Sequence, residues 1–423
     1  MSERRVVITG IGVVAPGGTG KKAFWTRLVS GVPAIRAITA FEPGPFRSRI
    51  AGECDFDPYE HGLSPERAER LDRAAQMALV AGGEALSDSG LTVDEERAHR
   101  VGVSLGSAVG CTQRLEREYR AVSDDGGRRL VDHSLAAENL YDYFVPSSMS
   151  AELAWLAGAE GPNTLVSAGC TSGIDAISYG YTLIKEGSAD VMIAGGTDAP
   201  INPITVSSFD VIKATSVYND DPEHASRPFD RTRNGFVLAE GAAVVVLEEL
   251  MSARARGARI YGEIAGCASR ANAHHMTGLR TDGAEMAAAI SAALDQARLD
   301  PTAVDYVNAH GTATQQNDRH ESAAFKRSLG AHAYDVPISS IKSMIGHSLG
   351  AIGAVEVVAC LLAMEHGTVP PTANLHRPDP ELDLDYVPNT ARGRRLKTVL
   401  TVGSGFGGFQ SAMVLSDGSG RAA

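Results

Sequence analysis

The sequence lacks the cysteine pairs that mark disulfide-rich and zinc-binding proteins. Its five cysteines are scattered, and none stands in a Cys-x-x-Cys spacing. A disulfide framework or a zinc site requires such spacings, so the sequence predicts neither. Scattered free thiols are typical of the reducing cytoplasm. Cysteine usage therefore predicts a cytoplasmic protein without a metal site.

Long hydrophobic runs and an excess of basic residues are also missing. The longest apolar run, from Leu349 to Met364, is interrupted by Glu356 and is too short to span a membrane. The formal net charge is −12, whereas general nucleic-acid binding needs a basic surface. The sequence therefore predicts no membrane segment and no nucleic-acid partner.

What the chain does contain is a regular alternation of strand-like and helix-like segments. Runs such as Val6 to Ile11 and Val101 to Leu105 alternate with helical patterns such as Pro65 to Ser89. This alternation predicts an α/β fold with mainly parallel sheets covered by helices on both faces. Because a second series of strands and helices starts after residue 258, we expect two related halves, residues 1–258 and residues 259–423.

One cysteine stands where a strand is expected to end and a helix to begin. The apolar run from Thr164 to Val166 leads into Cys170, and a helical pattern follows from Ile174 onward. A helix N-terminus carries free N–H groups and partial positive charge, which favours a thiolate nucleophile and part of an oxyanion hole at this turn. A buried structural cysteine is the alternative interpretation.

Two of the twelve histidines stand in turns of small residues before helical patterns. His310 ends the strand-like run from Val304 to Ala309, and His347 follows Lys342 by five residues. A duplicated fold would place the strand end at His310 beside the one that carries the cysteine. The alternative is that both histidines are ordinary surface or core residues and that Lys342 forms a salt bridge, for which Glu321 is a plausible partner.

A cysteine and two neutral histidines suit one reaction type. The thiolate accepts an acyl group as a thioester, and histidine N–H groups hold the enolate oxygen that forms when a second thioester loses carbon dioxide. The enolate carbon then attacks the acyl group. The N–H of Cys170 and one from the loop Gly405 to Gly408 would hold the resulting oxyanion. These residues therefore favour a decarboxylative condensation.

Several spaced motifs resemble the β-ketoacyl-carrier-protein synthases of the thiolase superfamily over nearly the whole chain. The motifs are Gly169-Cys170-Thr171-Ser172-Gly173, Ser226-Arg227-Pro228-Phe229-Asp230, His310-Gly311-Thr312, the run from Lys342 through Gly346-His347 to Gly350-Ala351, and Gly405-Phe406-Gly407-Gly408. The resemblance implies a thiolase-like fold of two pseudo-duplicated halves in a layered αβαβα arrangement. The first half would carry the nucleophile and the second half the histidines.

The same resemblance implies roles for particular residues. Cys170 is the implied acyl acceptor, His310 and His347 the decarboxylation and condensation pair, and Lys342 a supporting charge, with Glu321 as structural support. The implied substrate contacts are Thr312 and Thr314 along a phosphopantetheine arm, Phe406 as a gate with Gly407 beside it, and Phe144, which in homodimeric relatives reaches across the dimer interface. No cofactor and no metal is expected on the chain itself, because substrates arrive on the phosphopantetheine of an acyl carrier protein.

Finer detail resembles one branch, the ketosynthase alpha subunits of bacterial type II aromatic polyketide synthases. The stretches Phe46 to Glu53, Asn317 to Glu321 and Thr401 to Phe406 carry this likeness. Thr312 and Gln315 depart from the branch, which usually has a serine and a basic residue there. The resemblance implies iterative polyketide elongation with malonyl units by a heterodimer with a chain-length-factor subunit.

Other readings of the superfamily resemblance fit less well. The closest rival is a homodimeric β-ketoacyl-carrier-protein synthase of fatty-acid elongation, which has nearly the same motifs around the active site. A thiolase would need a second cysteine between Gly403 and Gln410, and a starter-type synthase an asparagine at the place of His347. The chain-length factor lacks the nucleophile that Cys170 would supply.

An acidic chain needs a local basic surface in order to bind an acidic carrier protein. Arg114, Arg117 and Arg120 recur every three residues on a predicted helix, although glutamates interleave with them. The cluster from Arg227 to Arg233 is the second candidate. Both remain candidates at the level of sequence.

Overall fold

Long buried strands form the centre of the molecule, of which the computed structural model describes residues 4–418. The large sheet has 11 strands, including the two-residue strand Gly18–Thr19. The other strands of this sheet are β1 (Val6–Ala15), β2 (Val101–Gly106), β3 (Asn163–Val166), β4 (Val191–Asp198), β5 (Gly241–Glu249), β6 (Gly262–Ala271), β7 (Tyr306–Asn308), β8 (Ile338–Ser339), β9 (Thr398–Gly405) and β10 (Phe409–Ser416). Two small hairpins, Arg36–Ala37 with Ile50–Ala51 and Thr368–Val369 with Arg392–Gly393, lie apart from it.

Helices connect and cover these strands. They are α1 (Lys21–Ser30), α2 (Pro65–Arg70), α3 (Arg73–Ser89), α4 (Thr112–Ser123), α5 (Leu140–Phe144), α6 (Ser148–Ala157), α7 (Ser172–Glu186), α8 (Pro203–Val211), α9 (Leu250–Ala255), α10 (Ala284–Ala297), α11 (Gln315–Leu329), α12 (Lys342–Ile345) and α13 (Ile352–His366). Strands and helices alternate along most of the chain, which confirms the predicted α/β class.

The strand order repeats between the first and the second series of strands. The sheet runs β3-β2-β4-β5-β1 and continues β6-β10-β9-β7-β8, so each series of five follows the order 1-5-4-2-3 from the shared centre outward. This repeat agrees with the expected pseudo-duplication. The boundary between residues 1–258 and residues 259–423 stays a prediction.

The prediction of mainly parallel sheets is only partly correct, because the sheet is mixed. Strand β2 is parallel to β3 and β4, and β7 is parallel to β8 and β9, but the other pairs along the sheet from β4 to β9 are antiparallel. Continuous apolar runs indicated strands buried on both faces, and such burial is typical of parallel sheets. In this protein helices cover antiparallel strands as well. Burial of a strand on both faces therefore does not indicate whether the strand is parallel to its neighbours.

Three large apolar clusters fill the spaces between five layers of backbone, and the central cluster lies on both sides of the middle helices. Helices α7 and α13 lie between the two halves of the sheet and contact strands of both, whereas α3 with α6 and α10 with α11 cover the outer faces. The alternating side chains of β5 illustrate the division: Val245 and Leu247 join the central cluster, while Val244 and Val246 join an outer one. The arrangement is the expected αβαβα sandwich.

The continuous helix predicted from Pro65 to Ser89 is two helices. Helix α2 ends at Arg70 and α3 begins at Arg73, because the buried carboxylate of Asp72 accepts hydrogen bonds from the N–H groups of Ala74 (2.9 Å) and Arg114 (2.9 Å). An aspartate in this capping role interrupts the helix, and the alanine-rich sequence does not reveal this interruption.

Residues Leu349–His366 have the length and apolar composition of a membrane span, yet 83% of this segment is buried inside the protein. It contains α13, which packs between the two halves of the sheet. Its one acidic side chain before the last turn, Glu356, is paired inside the protein. The segment is therefore the core helix of the sandwich.

Replacement of Arg233 with methionine is expected to destabilise the fold. The buried guanidinium of Arg233 lies 3.2 Å from the carboxylate of Asp318 and 2.7 Å from that of Asp379. Removing one member of a buried ion pair leaves an uncompensated charge and costs about 3–5 kcal/mol. Urea unfolding followed by circular dichroism measures the change in the free energy of unfolding.

The matched control for this substitution is Arg231→Met, which changes an exposed arginine two residues away. Exposed substitutions usually change the free energy of unfolding by less than about 0.5 kcal/mol. Equal effects of the two substitutions would contradict a structural role of the buried pair.

Candidate active site

Cys170 lies in the tight turn between β3 and α7, as the sequence predicts. Gly169 has a left-handed backbone (φ 58°), and the hydroxyl of Ser172 donates to the carbonyl of Gly169 (2.6 Å) and accepts from the N–H of Ala168 (2.9 Å). The left-handed turn at Gly169 directs the next side chain away from the helix axis. The thiol of Cys170 is half-buried.

A cavity of about 500 Å³ opens in front of this thiol. Among the residues predicted for the site, those that line it are Cys170, His310, His347, Thr312, Thr314 and Phe406. They come from β3, from the ends of β7 and α12, and from the turn between β9 and β10, which are far apart in the sequence. Strands β3 and β7 are far apart in the sheet order, and their ends meet because the two halves of the sheet pack on either side of α7 and α13.

The two histidines of the cavity are buried and neutral. Their ring centroids are 5.3 Å apart, with the ring planes at 86°. Burial, together with the nearby charge of Lys342, holds the pKa of His310 and that of His347 well below the usual histidine range. The Nδ1 atom of each ring is buried without a hydrogen-bond partner among the described residues.

Lys342 is paired with Glu356 and not with Glu321, so the suggested salt-bridge partner is wrong. The ammonium of Lys342 donates to the carboxylate of Glu356, and both side chains are 1% exposed. Burial raises the pKa of Glu356 to about 7, against the effect of Lys342. The signal that identifies Glu356 in the sequence is its position as a lone acid in an apolar helical run.

Glu321 instead supports the backbone that carries His310. Its carboxylate accepts the N–H groups of His310 and Gly311, the latter at 2.8 Å. Burial raises the pKa of Glu321 to about 8, although both hydrogen bonds lower it. The position of Glu321 therefore agrees with the implied role of structural support. Glu321 provides this support by accepting hydrogen bonds from backbone N–H groups.

The expectation that Cys170 is a thiolate is wrong for the protein without substrate. Burial raises the pKa of Cys170 to about 12, and this effect exceeds the opposing effects of Lys342 and of the N–H groups of Phe406 and Cys170. The charge of Lys342 and the two N–H groups therefore do not compensate for the loss of water around the sulfur. Cys170 is a thiol at neutral pH.

Two backbone N–H groups, those of Cys170 and Phe406, act on the sulfur of Cys170. The loop of Phe406 approaches closely because Gly405 has no side chain: a Cβ there would lie 3.1 Å from the carbonyl oxygen of Ala168 and 3.2 Å from the nitrogen of Cys170. This geometry agrees with the predicted pair of oxyanion donors, which would also hold negative charge on an atom attached to the sulfur.

The predicted substrate contacts fall into two groups. The hydroxyls of Thr312 and Thr314 lie 2.9 Å apart on the cavity wall, and the ring of Phe406 lies 6.3 Å from that of Phe209. Gly407 has a left-handed backbone (φ 94°) beside Phe406 but does not line the cavity. Phe144, at the end of α5, lies outside the cavity and is 71% exposed.

The two candidate basic surfaces are also different from each other. In the Arg227 to Arg233 cluster, Arg233 is buried between Asp318 and Asp379, so it is unavailable to a partner. On α4, Arg120 pairs with Asp125. Arg117 is exposed and makes no ion pair within residues 4–418. Arg231 of the other cluster is likewise exposed and makes no ion pair among the described residues, so both surfaces retain an available cation.

Comparison with known families gives two matches. A model described as the β-ketoacyl synthase N-terminal domain matches residues 3–253, and one described as the β-ketoacyl synthase C-terminal domain matches residues 261–376. The chain is 65% identical over 415 residues to the tetracenomycin polyketide synthase ketoacyl synthase alpha subunit of Streptomyces glaucescens, which covers 98% of this chain and 97% of that protein.

Solved structures give the same result. A type II polyketide synthase ketosynthase, in complex with its acyl carrier protein and bound to the hexaketide, has a TM-score of 0.91 at 38% identity and covers 98% of this chain and 100% of that one. The ishigamide ketosynthase/chain length factor has a TM-score of 0.89 at 32% identity and covers 98% and 99%. Both support a thiolase-like fold.

The likeness extends along nearly the entire chain. The chain belongs to the β-ketoacyl synthase family, in the branch of the type II polyketide synthase ketosynthase alpha subunits.

Proposed function

We propose that this protein extends a polyketide by repeated decarboxylative Claisen condensation of a malonyl group on an acyl carrier protein with a ketoacyl chain held on Cys170. The observation that carries the proposal is a single cavity in which a thiol lies with two buried, neutral histidines. A cysteine protease would instead pair its thiol with a histidine able to carry a proton at neutral pH.

The first step transfers the growing chain to Cys170. The sulfur attacks the acyl thioester of the carrier arm, the new carbon–sulfur bond forms as the bond to the pantetheine sulfur breaks, and the thiol proton ends on the departing pantetheine thiol. Because the pKa of Cys170 is raised to about 12, this proton leaves only during the attack. Lys342 and the N–H groups of Cys170 and Phe406 favour the developing negative charge.

The second step generates a carbon nucleophile from the malonyl group. The bond to the carboxylate breaks, carbon dioxide leaves, and the electron pair forms an enolate whose oxygen accepts N–H groups from His310 and His347. Since Nδ1 of each ring is buried without a partner, a proton on Nε2 avoids an unpaired buried donor. Neutral imidazoles with the proton on Nε2 would direct both N–H groups into the cavity.

The third step joins the two chains. The enolate carbon attacks the carbonyl carbon of the acyl-cysteine, and the N–H groups of Cys170 and Phe406 hold the oxyanion. The carbon–sulfur bond then breaks, the β-ketoacyl product stays on the carrier protein, and the sulfur regains a proton from water. Thr312 and Thr314 would contact the phosphopantetheine arm, and Phe406 with Gly407 would open and close the acyl end of the cavity.

We also propose a heterodimer with a chain-length-factor subunit through the exposed side of β3. This strand ends the sheet, and its residues are partly exposed, whereas β8 at the opposite end is buried. Exposed sheet edges favour pairing with another chain. Phe144 and Tyr141 are 71% and 73% exposed, which supports a partner that covers them. The described cysteines are all free, as in a protein of the cytoplasm.

Product analysis tests the central proposal. The protein is combined with a homologous chain-length-factor subunit and malonyl-loaded carrier protein, and products are measured by mass spectrometry. We expect unreduced poly-β-ketones or their cyclised shunt products. The Cys170→Ala variant is expected to form none, because it has no acyl acceptor.

A single condensation on a supplied acyl chain, without need of the second subunit, would instead identify homodimeric fatty-acid elongation. Equal product from Cys170→Ala would overturn the assignment of the nucleophile.

The protonation state of Cys170 predicts its reactivity without substrate. With a pKa raised to about 12, only a small thiolate fraction reacts at neutral pH. The rate of alkylation by iodoacetamide is therefore expected to rise about tenfold per pH unit from about pH 7 to about pH 10. Mass spectrometry of the Cys170 peptide follows the reaction. A rate that levels off below about pH 9 would contradict the raised pKa.

Replacement of Phe144 with alanine is expected to weaken association with the partner subunit. Truncating a large aromatic side chain that a partner covers raises the dissociation constant about tenfold or more. Isothermal titration or size-exclusion chromatography measures this change. Met251→Ala, which truncates another exposed side chain on α9, is the matched control. Equal dissociation constants for wild type and Phe144→Ala would exclude Phe144 from the interface.

A further inference from the structure

We propose that Asp198 is a positioning residue that holds the loop after β2 and the turn after His347 in place around Cys170. This inference rests on the proposed function, in which those segments surround the condensing groups. Asp198 is the last residue of β4 and is fully buried.

A single carboxylate joins segments from distant parts of the chain. Its oxygens accept the hydroxyl of Ser107 (2.6 Å) and the N–H groups of Ala108 (2.9 Å), Val109 (3.2 Å) and Gly350 (2.6 Å). Ala108 and Gly350 donate to the same oxygen. All four donors are therefore directed at one group, which fixes their spacing to within hydrogen-bond distances.

The packing around this carboxylate leaves no room for adjustment. A Cβ on Gly350 would lie 2.4 Å from the nitrogen of Ala108 and 2.7 Å from an oxygen of Asp198. The preceding residue, Leu349, has a left-handed backbone (φ 46°), which is strained for a leucine. The hydrogen bond from Gly350 to Asp198 supplies contact energy that helps to hold this turn.

The segments that Asp198 holds border the reacting groups. Ala108, Val109 and Leu349 belong to the same apolar cluster as Cys170. His347 lies three residues before Gly350 in the same turn. Movement of this carboxylate would therefore displace both the apolar wall beside the thiol and one of the two histidines.

The charge of Asp198 also acts on the thiol. Burial raises the pKa of Asp198 to about 6, although its four hydrogen bonds lower it, so the group is mostly a carboxylate at neutral pH. The charged or titratable groups that act on Cys170 or line its cavity are Lys342, Asp198, His310, His347, Lys213 and Arg233. Lys342 lowers the pKa of Cys170, and Asp198 raises it. Asp198 thus helps to keep the resting cysteine protonated.

The variant Asp198→Asn tests both effects with almost no change of shape. The amide NH₂ would face N–H donors of Ala108 or Gly350 in place of an acceptor, which displaces at least one segment. Since a misplacement of about 1 Å can cost about a hundredfold, we expect a loss of kcat of about that size. The lost negative charge should increase iodoacetamide alkylation of Cys170 at a given pH, because the charge of Asp198 raises the pKa of that thiol.

Asp175→Asn is the matched control. Asp175 is a half-buried acid on α7 close to the turn of Cys170, and its carboxylate accepts the hydroxyls of Thr171 (2.7 Å) and Ser411 (2.6 Å), which an amide can satisfy. We expect its alkylation profile to match that of the wild type. Ser107→Ala provides a second variant that keeps the carboxyl group of Asp198 and removes the hydroxyl that donates to it, together with the hydrogen bond that this hydroxyl accepts from the N–H of Gly110 (3.0 Å), with a smaller loss of kcat.

Alkylation is measured without substrate, so it separates this inference from the proposed reaction. A folded Asp198→Asn protein with wild-type alkylation and wild-type kcat would overturn the inference, as would identical changes in Asp198→Asn and Asp175→Asn. If Asp198→Asn does not fold, the Ser107→Ala variant tests the inference instead. A wild-type kcat of Ser107→Ala would overturn the inference, and a reduced kcat at an unchanged melting temperature would support it.

Discussion

Burial of charge is the constraint on which the site depends. One ion pair, Lys342 with Glu356, lies inside the sandwich beneath the cavity, and its cation lowers the pKa of both His310 and His347. Burial also lowers the pKa of the two histidines and raises the pKa of Cys170, because it disfavours whichever form of a group is charged. All three groups are therefore neutral before substrate arrives, which suits hydrogen-bond donation to an enolate.

The site also requires that backbone segments from different parts of the chain approach one another closely. Residues Gly173 and Gly196 pack against the carbonyl of Gly350, where a Cβ would lie 2.7 Å and 2.9 Å from that oxygen. Glycines at these positions let the nucleophile turn, the end of β4 and the turn after His347 meet without intervening side chains. The carboxylate of Asp198 then accepts hydrogen bonds from backbone N–H groups of these closely packed segments. The two halves of the sheet are consequently joined at the site by backbone contacts as well as by the apolar layer of α7 and α13.

The surface is divided in a way that matches the proposed partners. The end of the sheet at β3 is partly exposed, whereas the opposite end is buried. Phe144, at the end of α5, is also exposed. The cavity is lined by other segments, among them the loop of Met276 and the turn of Phe406, and no residue of β3 lines it.

The sequence by itself determined the α/β class, the turn of Cys170 and the two histidine turns, because glycines, strand-like runs and helical periodicity act over a few residues. It also contained the branch resemblance that the comparisons confirm. Only the tertiary structure decided which acid pairs with Lys342, that Cys170 is a thiol, that the sheet mixes parallel and antiparallel strands and that Asp198 joins two segments of the site. These properties depend on burial and on contacts between residues such as Asp198 and Gly350, which are 152 positions apart, and no local pattern reports them.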